Sequence, residues 1–235
     1  MVKSPSECNT CEGRKFIRYD VPSNDERFGR IYPCPSCNQE TMYRMAGLTA
    51  DEAKTRVADL RQDGRPGTMA MVKAAQWFYE RNMIGFVALC GGFGVGKSHI
   101  MKAIAAEGVR RGWETYYITL SEVLMYIREA YNSQLEGDSD LGRIKVYAEC
   151  RLLLLDEIDK VALTEYAQMV QTYLLDKRYR RSKTLGTVLA WNGGIDFIQA
   201  SMPWLASRLW EFVVVENEDS DFRLVLHELN SINSK

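Results

Sequence analysis

Five runs rich in apolar and aromatic residues alternate along the chain with longer segments of helical periodicity. The runs cover residues 86–90, 115–119, 151–155, 187–192 and 212–215. An unbroken apolar run such as 152–155 is typical of a strand that is buried on both faces of a parallel sheet. The pattern therefore predicts five strands that alternate with helices, which is typical of an α/β architecture.

The segments between these runs carry apolar residues at spacings of three and four, which predicts amphipathic helices. Two helix starts are marked in the sequence. Thr49 and Glu52 have the spacing of a capping box that would open a helix over 50–60, and Ser121 is a candidate N-cap. The pattern from 41 to 60 is helical with a break at Gly47. Further helices are predicted over 69–81, 98–111, 121–131, 141–149, 165–181, 195–200 and 220–232.

The first 45 residues have a pattern of their own, and we call them the cysteine module. Two C-x-x-C pairs, separated by 22 residues, supply the thiols of Cys8, Cys11, Cys34 and Cys37. Four thiolates can complete a tetrahedral Zn²⁺ shell, and the bound metal can supply the folding energy that so small a core lacks. With short strands over 15–19 and 30–32, the module is predicted to be a zinc ribbon. A redox pair or unrelated cysteines are the alternatives.

A glycine-rich loop with the spacing G-x-x-x-x-G-K-S follows the strand at 86–90 and precedes a helix. Glycines allow the backbone to wrap around a phosphate, so that its N–H groups point inward. We expect Lys97 to reach the β- and γ-phosphates of a nucleotide and the Ser98 hydroxyl to bind Mg²⁺. The order of strand, loop and helix disfavours the alternative, a glycine-rich turn with a chance lysine. The predicted nucleotide-binding residues are Gly91, Gly92, Phe93, Gly94, Val95, Gly96, Lys97, Ser98 and His99.

Two acids end the most apolar strand. Asp156 is expected to hold Mg²⁺, directly or through water, and Glu157 to polarise an attacking water as general base. The alternative is an acidic strand end that only caps a turn. Asn192 ends the next strand and could contact the γ-phosphate or the water if that strand lies between the other two.

Composition adds limits to this interpretation. The net charge is −1 and 46% of the 235 residues are hydrophobic, so any nucleic-acid site must be a local patch. Residues 1–9 contain no apolar signal segment, and no apolar run has the length of a membrane span. We therefore expect a soluble cytoplasmic protein with no membrane partner, in which Cys90 and Cys150 are reduced.

The motifs together resemble those of an AAA+ ATPase, and within that class the DnaC/DnaI helicase loaders and their IstB transposition relatives. The resemblance covers residues 70–230. The stretches that carry it are GGFGVGKSH, LLLLDEID, a helix ending in DKRYRRSK before a strand that closes in WN, and PWLASRLWE followed by SDFR.

This resemblance implies a parallel sheet in the order 5-1-4-3-2, with Asn192 beside the phosphate loop as sensor 1. It also implies that Arg208 is an arginine finger acting on the ATP of a neighbouring subunit, and that Arg223 is sensor 2. Only about a dozen residues follow Arg223, so the C-terminal lid is expected to be reduced. The chain is then divided into a zinc ribbon (1–45), a helical linker (46–68) and an ATPase domain (69–235).

The loaders that the chain resembles contact single-stranded DNA through a helical element between the second and third strands. Here that element spans 121–147, and the expected contacts are Tyr126, Arg128, Tyr131, Arg143, Lys145 and Tyr147. Aromatic rings stack on bases and cations neutralise phosphates. The alternative is that the tyrosines pack in the core and the charges are solvated. The basic run 177–183 is the next candidate.

Three functions remain open from the sequence. The first is an ATP-dependent loader of a replicative DNA helicase, encoded by a bacterium or a phage, which works as an ATP-dependent homo-oligomer and docks its helicase through the cysteine module. The second is an IstB-like transposition regulator acting on duplex DNA. The third is a nucleotide-gated binding module with little hydrolysis, against which Glu157, Asn192 and Arg208 argue. ATP, Mg²⁺ and Zn²⁺ are the expected cofactors.

Overall fold

The computed structural model describes residues 8–23, 28–29, 31–61, 64–129, 139–162 and 164–224. Within these residues, no helix is both long and apolar enough to cross a membrane.

A parallel sheet of five strands forms the centre of the structure. The strands are β3 (Gly85–Gly91), β4 (Thr115–Thr119), β5 (Leu152–Asp156), β6 (Gly186–Trp191) and β7 (Val213–Asn217). They lie in the order β4-β5-β6-β3-β7, and every neighbouring pair is parallel. Counted from β3 as the first strand, this order confirms the predicted 5-1-4-3-2 arrangement.

Helices cover both faces of this sheet. They are α2 (Pro66–Glu80), α3 (Lys97–Arg110), α4 (Leu120–Arg128), α5 (Asp140–Glu149), α6 (Glu165–Arg180), α7 (Ile195–Ser201) and α8 (Pro203–Leu209). Side chains alternate along a strand, so Leu152 and Leu154 of β5 pack with α2 and α3 on one face. Leu153 and Leu155 pack with α4, α5, α6 and α8 on the other. This accounts for the unbroken apolar run in β5.

The cysteine module contains a short antiparallel hairpin followed by a helix. Its elements are β1 (Phe16–Arg18), β2 (Ile31–Pro33) and α1 (Gln39–Met45). The chain then passes along the free edge of β4, where the backbone N–H of Tyr117 donates to the carbonyl of Ala46 at 2.9 Å. Gly47 has φ +77°, and a Cβ there would lie 2.3 Å from the Tyr117 carbonyl oxygen. The predicted break at Gly47 is therefore required by this close contact.

Two predicted helix starts need correction. Thr49 and Glu52 form the expected reciprocal bonds, but two 3-10 turns, Glu52–Lys54 and Val57–Asp59, replace the predicted helix over 50–60. The reason is that Arg110 donates to the carbonyls of Ala53 and Thr55, which a continuing helix would use itself.

The second correction concerns the start of α4. Its N-cap is Thr119, not Ser121, because Thr119 has a glutamate three residues later and the two form a complete capping box. The predicted C-terminal parts of this helix (130–131) and of the last helix (225–232) lie outside the described residues.

Arg178 is the one buried arginine among the described residues, with 0% exposure. Its guanidinium donates to Thr187 Oγ1 at 2.8 Å, to the carbonyls of Tyr147 and Cys150 at 2.8 and 3.0 Å, and to the Gly186 carbonyl. Burial lowers the pKa of Arg178. The side chain thus joins α6 to β6 and to the end of α5, and it is removed from the basic run 177–183 as a possible DNA contact.

We predict that Arg178→Met lowers the free energy of unfolding by about 2–4 kcal/mol, because it leaves several buried oxygens without their donor. Urea denaturation measures the change. The matched control is Arg180→Met on the same helix, where the side chain is 71% exposed. It should change stability by less than about 1 kcal/mol. Equal effects of the two substitutions would contradict the role given to Arg178.

Candidate nucleotide-binding site

The glycine-rich loop joins the carboxyl end of β3 to the first turn of α3. Three of its glycines adopt left-handed conformations: φ is 135° at Gly91, 68° at Gly94 and 97° at Gly96. Lys97 Nζ folds back onto the loop and donates to the carbonyls of Gly91 and Gly92 at 2.6 and 2.7 Å. Burial lowers the pKa of Lys97. The ammonium group therefore lies inside the loop, where an anion would be favourable.

Asp156 lies directly opposite the start of α3. Its Oδ2 accepts hydrogen bonds from Ser98 Oγ at 2.7 Å and from the Tyr117 hydroxyl at 2.8 Å, and its Oδ1 accepts from the Glu157 N–H at 2.8 Å. The residue is 3% exposed. Hydroxyl and carboxylate oxygens are the ligands that Mg²⁺ prefers. Ser98 and Asp156 are therefore close enough to hold one ion between them.

Tyr117 is a site residue that the sequence analysis missed. It was assigned to the correct strand, but only the register of β4 against β5 brings its hydroxyl to Asp156. Burial and the Asp156 charge raise the pKa of Tyr117, which keeps the hydroxyl a hydrogen-bond donor.

Glu157 has a left-handed backbone, with φ 54°, which is unusual for a residue with a Cβ. Its carboxylate forms an ion pair with Lys160, and this contact raises the pKa of Lys160. Lys160 was not identified from the sequence, although its spacing of three residues from Glu157 was a possible signal. In this structure the predicted general base is thus neutralised by a lysine.

Asn192 lies at the carboxyl end of β6, beside β3 and the phosphate loop. Its Oδ1 accepts from Lys97 Nζ at 3.2 Å, and its Nδ2 donates to Asp159 Oδ2 at 3.2 Å. Because a carboxylate only accepts hydrogen bonds, Asp159 fixes the orientation of the amide. Asp159 is a third site residue, after Tyr117 and Lys160, that the sequence analysis did not identify.

These side chains line one cleft of about 350 Å³. Its walls are Phe93 to His99 from the loop and α3, together with Asp156, Glu157, Lys160, Asn192 and Arg223. Arg223 is exposed and is bound to Asp221 at 3.0 Å. The Asp221 carboxylate in turn lies against the loop, since a Cβ at Gly94 would be 1.7 Å from its Oδ1.

A second cavity of about 430 Å³ adjoins the loop at Gly94, Val95 and Gly96. Arg61, Arg65, Val72, His99, Ile100 and Phe222 contribute to its lining. The Arg65 guanidinium carbon lies 5.5 Å from the centre of the Phe222 ring. Apolar and aromatic walls next to a phosphate-binding loop suit the base and ribose of a nucleotide. The sequence did not indicate this cavity, because its walls come from segments that are far apart in the chain, 59–72, 94–100 and Phe222.

Residues 38–193 match the family described as IstB-like ATP binding protein. The chain belongs to this family. DnaC, the replicative helicase loader of Escherichia coli strain K12, is 24% identical over 119 residues, which are 50% of this chain and 47% of DnaC. A protein of insertion sequence IS232 from Bacillus thuringiensis subsp. berliner, described as ATP-binding, is 28% identical over 102 residues, 43% of this chain and 39% of that protein. The chain thus matches less than half the length of each relative.

The crystal structure of the DnaC helicase loader has the same fold, with a TM-score of 0.60 at 14% identity, covering 72% of this chain and 100% of that chain. The predicted resemblance to AAA+ ATPases of the DnaC and IstB type is confirmed. An ATP-binding function agrees with the cleft, since the family match includes both the phosphate loop and the Asp156–Glu157 strand end.

Arg208 is separate from this ATP-binding cleft. It lies in α8, where it forms an ion pair with Asp176 at 2.7 Å. Its guanidinium carbon is 4.6 Å from the Tyr179 ring centre and 5.5 Å from that of Trp204. The side chain is 32% exposed and does not line the cleft of its own chain.

The four cysteines of the cysteine module converge. Their sulfur atoms all lie within 4.8 Å of one another, with Cys8 and Cys34 at 3.7 Å and Cys11 and Cys37 at 3.4 Å. Cys8, Cys11 and Cys34 are buried. This cluster can hold a metal ion, and thiolates of this number and spacing suit zinc.

The predicted DNA contacts between β4 and β5 are only partly available. Tyr147 is 6% exposed and packs in the core, so it cannot stack on a base. Arg128 stacks on Tyr166 at 5.3 Å, and Arg143 on Tyr126 at 4.8 Å. Lys145 is exposed, whereas Tyr131 lies outside the described residues.

Proposed function

We propose that this protein is an ATP-dependent loader of a replicative DNA helicase that binds and hydrolyses ATP. The observation that supports it best is the single cleft in which Lys97, Ser98, Asp156, Glu157 and Asn192 meet. The comparison that supports it is the match to DnaC, which is a replicative helicase loader and aligns with 50% of this chain.

Each cleft residue has a role in this proposal. Lys97 exchanges the carbonyls of Gly91 and Gly92 for the β- and γ-phosphates. Ser98 and Asp156 hold Mg²⁺, which supplies positive charge to the phosphate oxygens. Glu157 leaves Lys160 and takes the proton of the attacking water. Asn192 and Arg223 contact the γ-phosphate as the two sensors.

Hydrolysis in this proposal needs a second copy of the chain. Arg208 lies outside its own cleft and is partly exposed, so it can serve as arginine finger only in the site of a neighbouring subunit. ATP therefore promotes the homo-oligomer. The cysteine module (1–45) binds Zn²⁺ and docks the helicase, while residues 46–68 link it to the ATPase domain (69–235). We place this activity, with a contact to single-stranded DNA, in the cytoplasm of a bacterium, encoded by its genome or by a phage.

The zinc assignment predicts that protein purified without added metal contains about one equivalent of zinc. Cys34→Ser should lose the metal and unfold the cysteine module, because the metal supplies the folding energy of so small a core. Elemental analysis and limited proteolysis of the N-terminus measure the two effects. Cys90→Ser, a buried cysteine far from the cluster in the chain, is the matched control and should keep the zinc. A Cys34→Ser protein with zinc and a folded N-terminus would contradict the assignment.

Two observations favour other functions. The match to the IS232 protein favours a transposition regulator acting on duplex DNA. The ion pair between Glu157 and Lys160 favours a nucleotide-gated binding module with little hydrolysis.

A pull-down from native lysate separates these functions. The tagged protein is incubated with ATP, with ADP, and as Lys97→Ala with ATP as the control that cannot bind nucleotide. We expect ATP-dependent recovery of a replicative helicase with wild type only. Recovery of a transposase in its place would reject the loader, and recovery without ATP dependence would reject the nucleotide-controlled step. Phosphate release by the purified protein tests hydrolysis separately.

A further inference from the structure

A row of stacked arginines and aromatic rings lies at the sheet edge opposite the phosphate loop, where α2 and α3 end and β4 and β5 begin. The guanidinium carbon of Arg111 is 4.5 Å from the centre of the Tyr79 ring and 5.1 Å from that of Trp113. Arg151 stands 4.7 Å from the same Trp113 ring. We call these four residues the arginine ladder.

The ladder concentrates positive charge, because its two arginines have no carboxylate partner among the residues that the structure describes. The two oxygens to which the Arg111 side chain donates are neutral: Asn82 Oδ1 at 3.5 Å and the Tyr79 carbonyl at 3.4 Å. Within the described part of the chain, no carboxylate forms an ion pair with Arg111 or Arg151. Burial and the nearby charge of Arg111 lower the pKa of Arg151. Two cations held this close without a counter-ion favour an anionic ligand.

An aromatic cleft of about 350 Å³ adjoins the ladder and shares Trp113 with it. One wall comes from the cysteine module, including Tyr32 and Pro35, and the other from residues 112–116 before and at the start of β4, including Trp113 and Tyr116. The exposed side chain of Met45 lies at its border. Glu114 also lines the cleft and accepts a hydrogen bond from the Tyr116 hydroxyl at 3.3 Å. Flat apolar and aromatic walls of this kind suit a nucleobase, which can stack between them.

We propose that the arginine ladder and this cleft together bind single-stranded nucleic acid. Phosphates lie on Arg111 and Arg151, and a base enters the cleft between Tyr32 and Trp113. A paired base is stacked within its duplex and cannot enter, which is why the ligand is a single strand. Guanidinium groups already ordered by stacking bind phosphate with little loss of side-chain freedom. The proposal rests on the DNA contact of the proposed function and moves it away from α4 and α5.

Fluorescence anisotropy with the full chain tests the ladder, using a labelled mixed-sequence single strand and the duplex of the same sequence over a salt series. Arg111→Glu combined with Arg151→Glu should weaken single-strand binding by about tenfold or more. The dependence of the binding constant on salt concentration should also decrease, by the amount expected for the loss of about two phosphate contacts. Arg128→Glu combined with Lys145→Glu is the matched variant, since it makes the same charge change on α4 and α5. It should change the affinity by less than about twofold, because ordinary surface charges lie there.

Photo-crosslinking of the wild-type chain tests the cleft without any substitution. Strands that carry 5-iodocytosine should crosslink to the peptides containing Trp113 or Tyr32. The proposal is overturned if the ladder variant binds like wild type, if the α4–α5 variant alone loses binding, if the duplex binds as tightly as the single strand, or if crosslinks occur only on α4 and α5. If the wild-type chain bound no single strand even at low salt, DNA binding would be rejected both at the ladder and as part of the proposed function.

Discussion

Glu157→Gln is expected to bind ATP with the affinity of wild type and to hydrolyse it about 10²- to 10⁴-fold more slowly, the usual effect of losing a general base. The amide keeps the size of the side chain but cannot accept a proton from water. The hydrogen bond from residue 157 to Asp156 Oδ1 comes from the backbone N–H, which the substitution keeps, so the Mg²⁺ ligands should remain in place. Binding of a fluorescent ATP analogue and steady-state phosphate release measure the two properties separately.

Lys160→Met is the companion variant, because Lys160 is the partner of Glu157 in this structure. It removes the neutralising charge without touching the base, so hydrolysis should be retained. Wild-type turnover in Glu157→Gln would refute its role as base. If only Lys160→Met lost ATP hydrolysis, Lys160 and not Glu157 would be the residue that hydrolysis requires.

Most of the chemistry of the site that depends on neighbours in the chain was predictable from the sequence. The phosphate loop, the strand that ends in Asp156 and Glu157, and the strand that ends in Asn192 are short local patterns. Parallel strands place their carboxyl ends at one edge, so those side chains meet once the strand order is known. The order itself came from the resemblance to AAA+ ATPases and is confirmed.

Lys160 was missed although it lies only three residues from Glu157, whereas the other missed residues make contacts between distant segments. Tyr117 reaches Asp156 only through the register of two strands, and Asp159 reaches Asn192 across a separation of 33 residues. Arg178 appeared in the sequence as one member of a basic run. Arg178 follows Leu174 by four residues, so both lie on the buried face of α6. This spacing could have predicted its burial, but the charge of Arg178 led to its assignment to the exposed basic run.

Arg208→Ala is expected to bind ATP normally and to hydrolyse it about 10³-fold more slowly or worse, as found for arginine fingers in other nucleotide hydrolases. Arg208 pairs with Asp176, and neither residue lines the cleft of its own chain, so Arg208 must leave Asp176 to reach the site of a neighbour. Arg180→Ala is the matched control, because Arg180 also pairs with Asp176, at 2.8 Å, and is largely exposed. It should keep wild-type turnover, and phosphate release measures both variants.

Mixing experiments decide whether the finger acts between subunits. Lys97→Ala cannot bind nucleotide but retains Arg208, whereas Arg208→Ala retains an intact cleft. In a mixed assembly, a Lys97→Ala chain can donate its finger to the ATP of an Arg208→Ala neighbour, so partial turnover should return although each variant alone is inactive. Co-assembly is checked by pulling down one tagged variant and detecting the other. Mixtures that assemble and remain inactive would count against action in trans. If Arg180→Ala were also inactive, the loss of hydrolysis would be explained by the loss of positive charge around Asp176, and the role of Arg208 as arginine finger would be rejected.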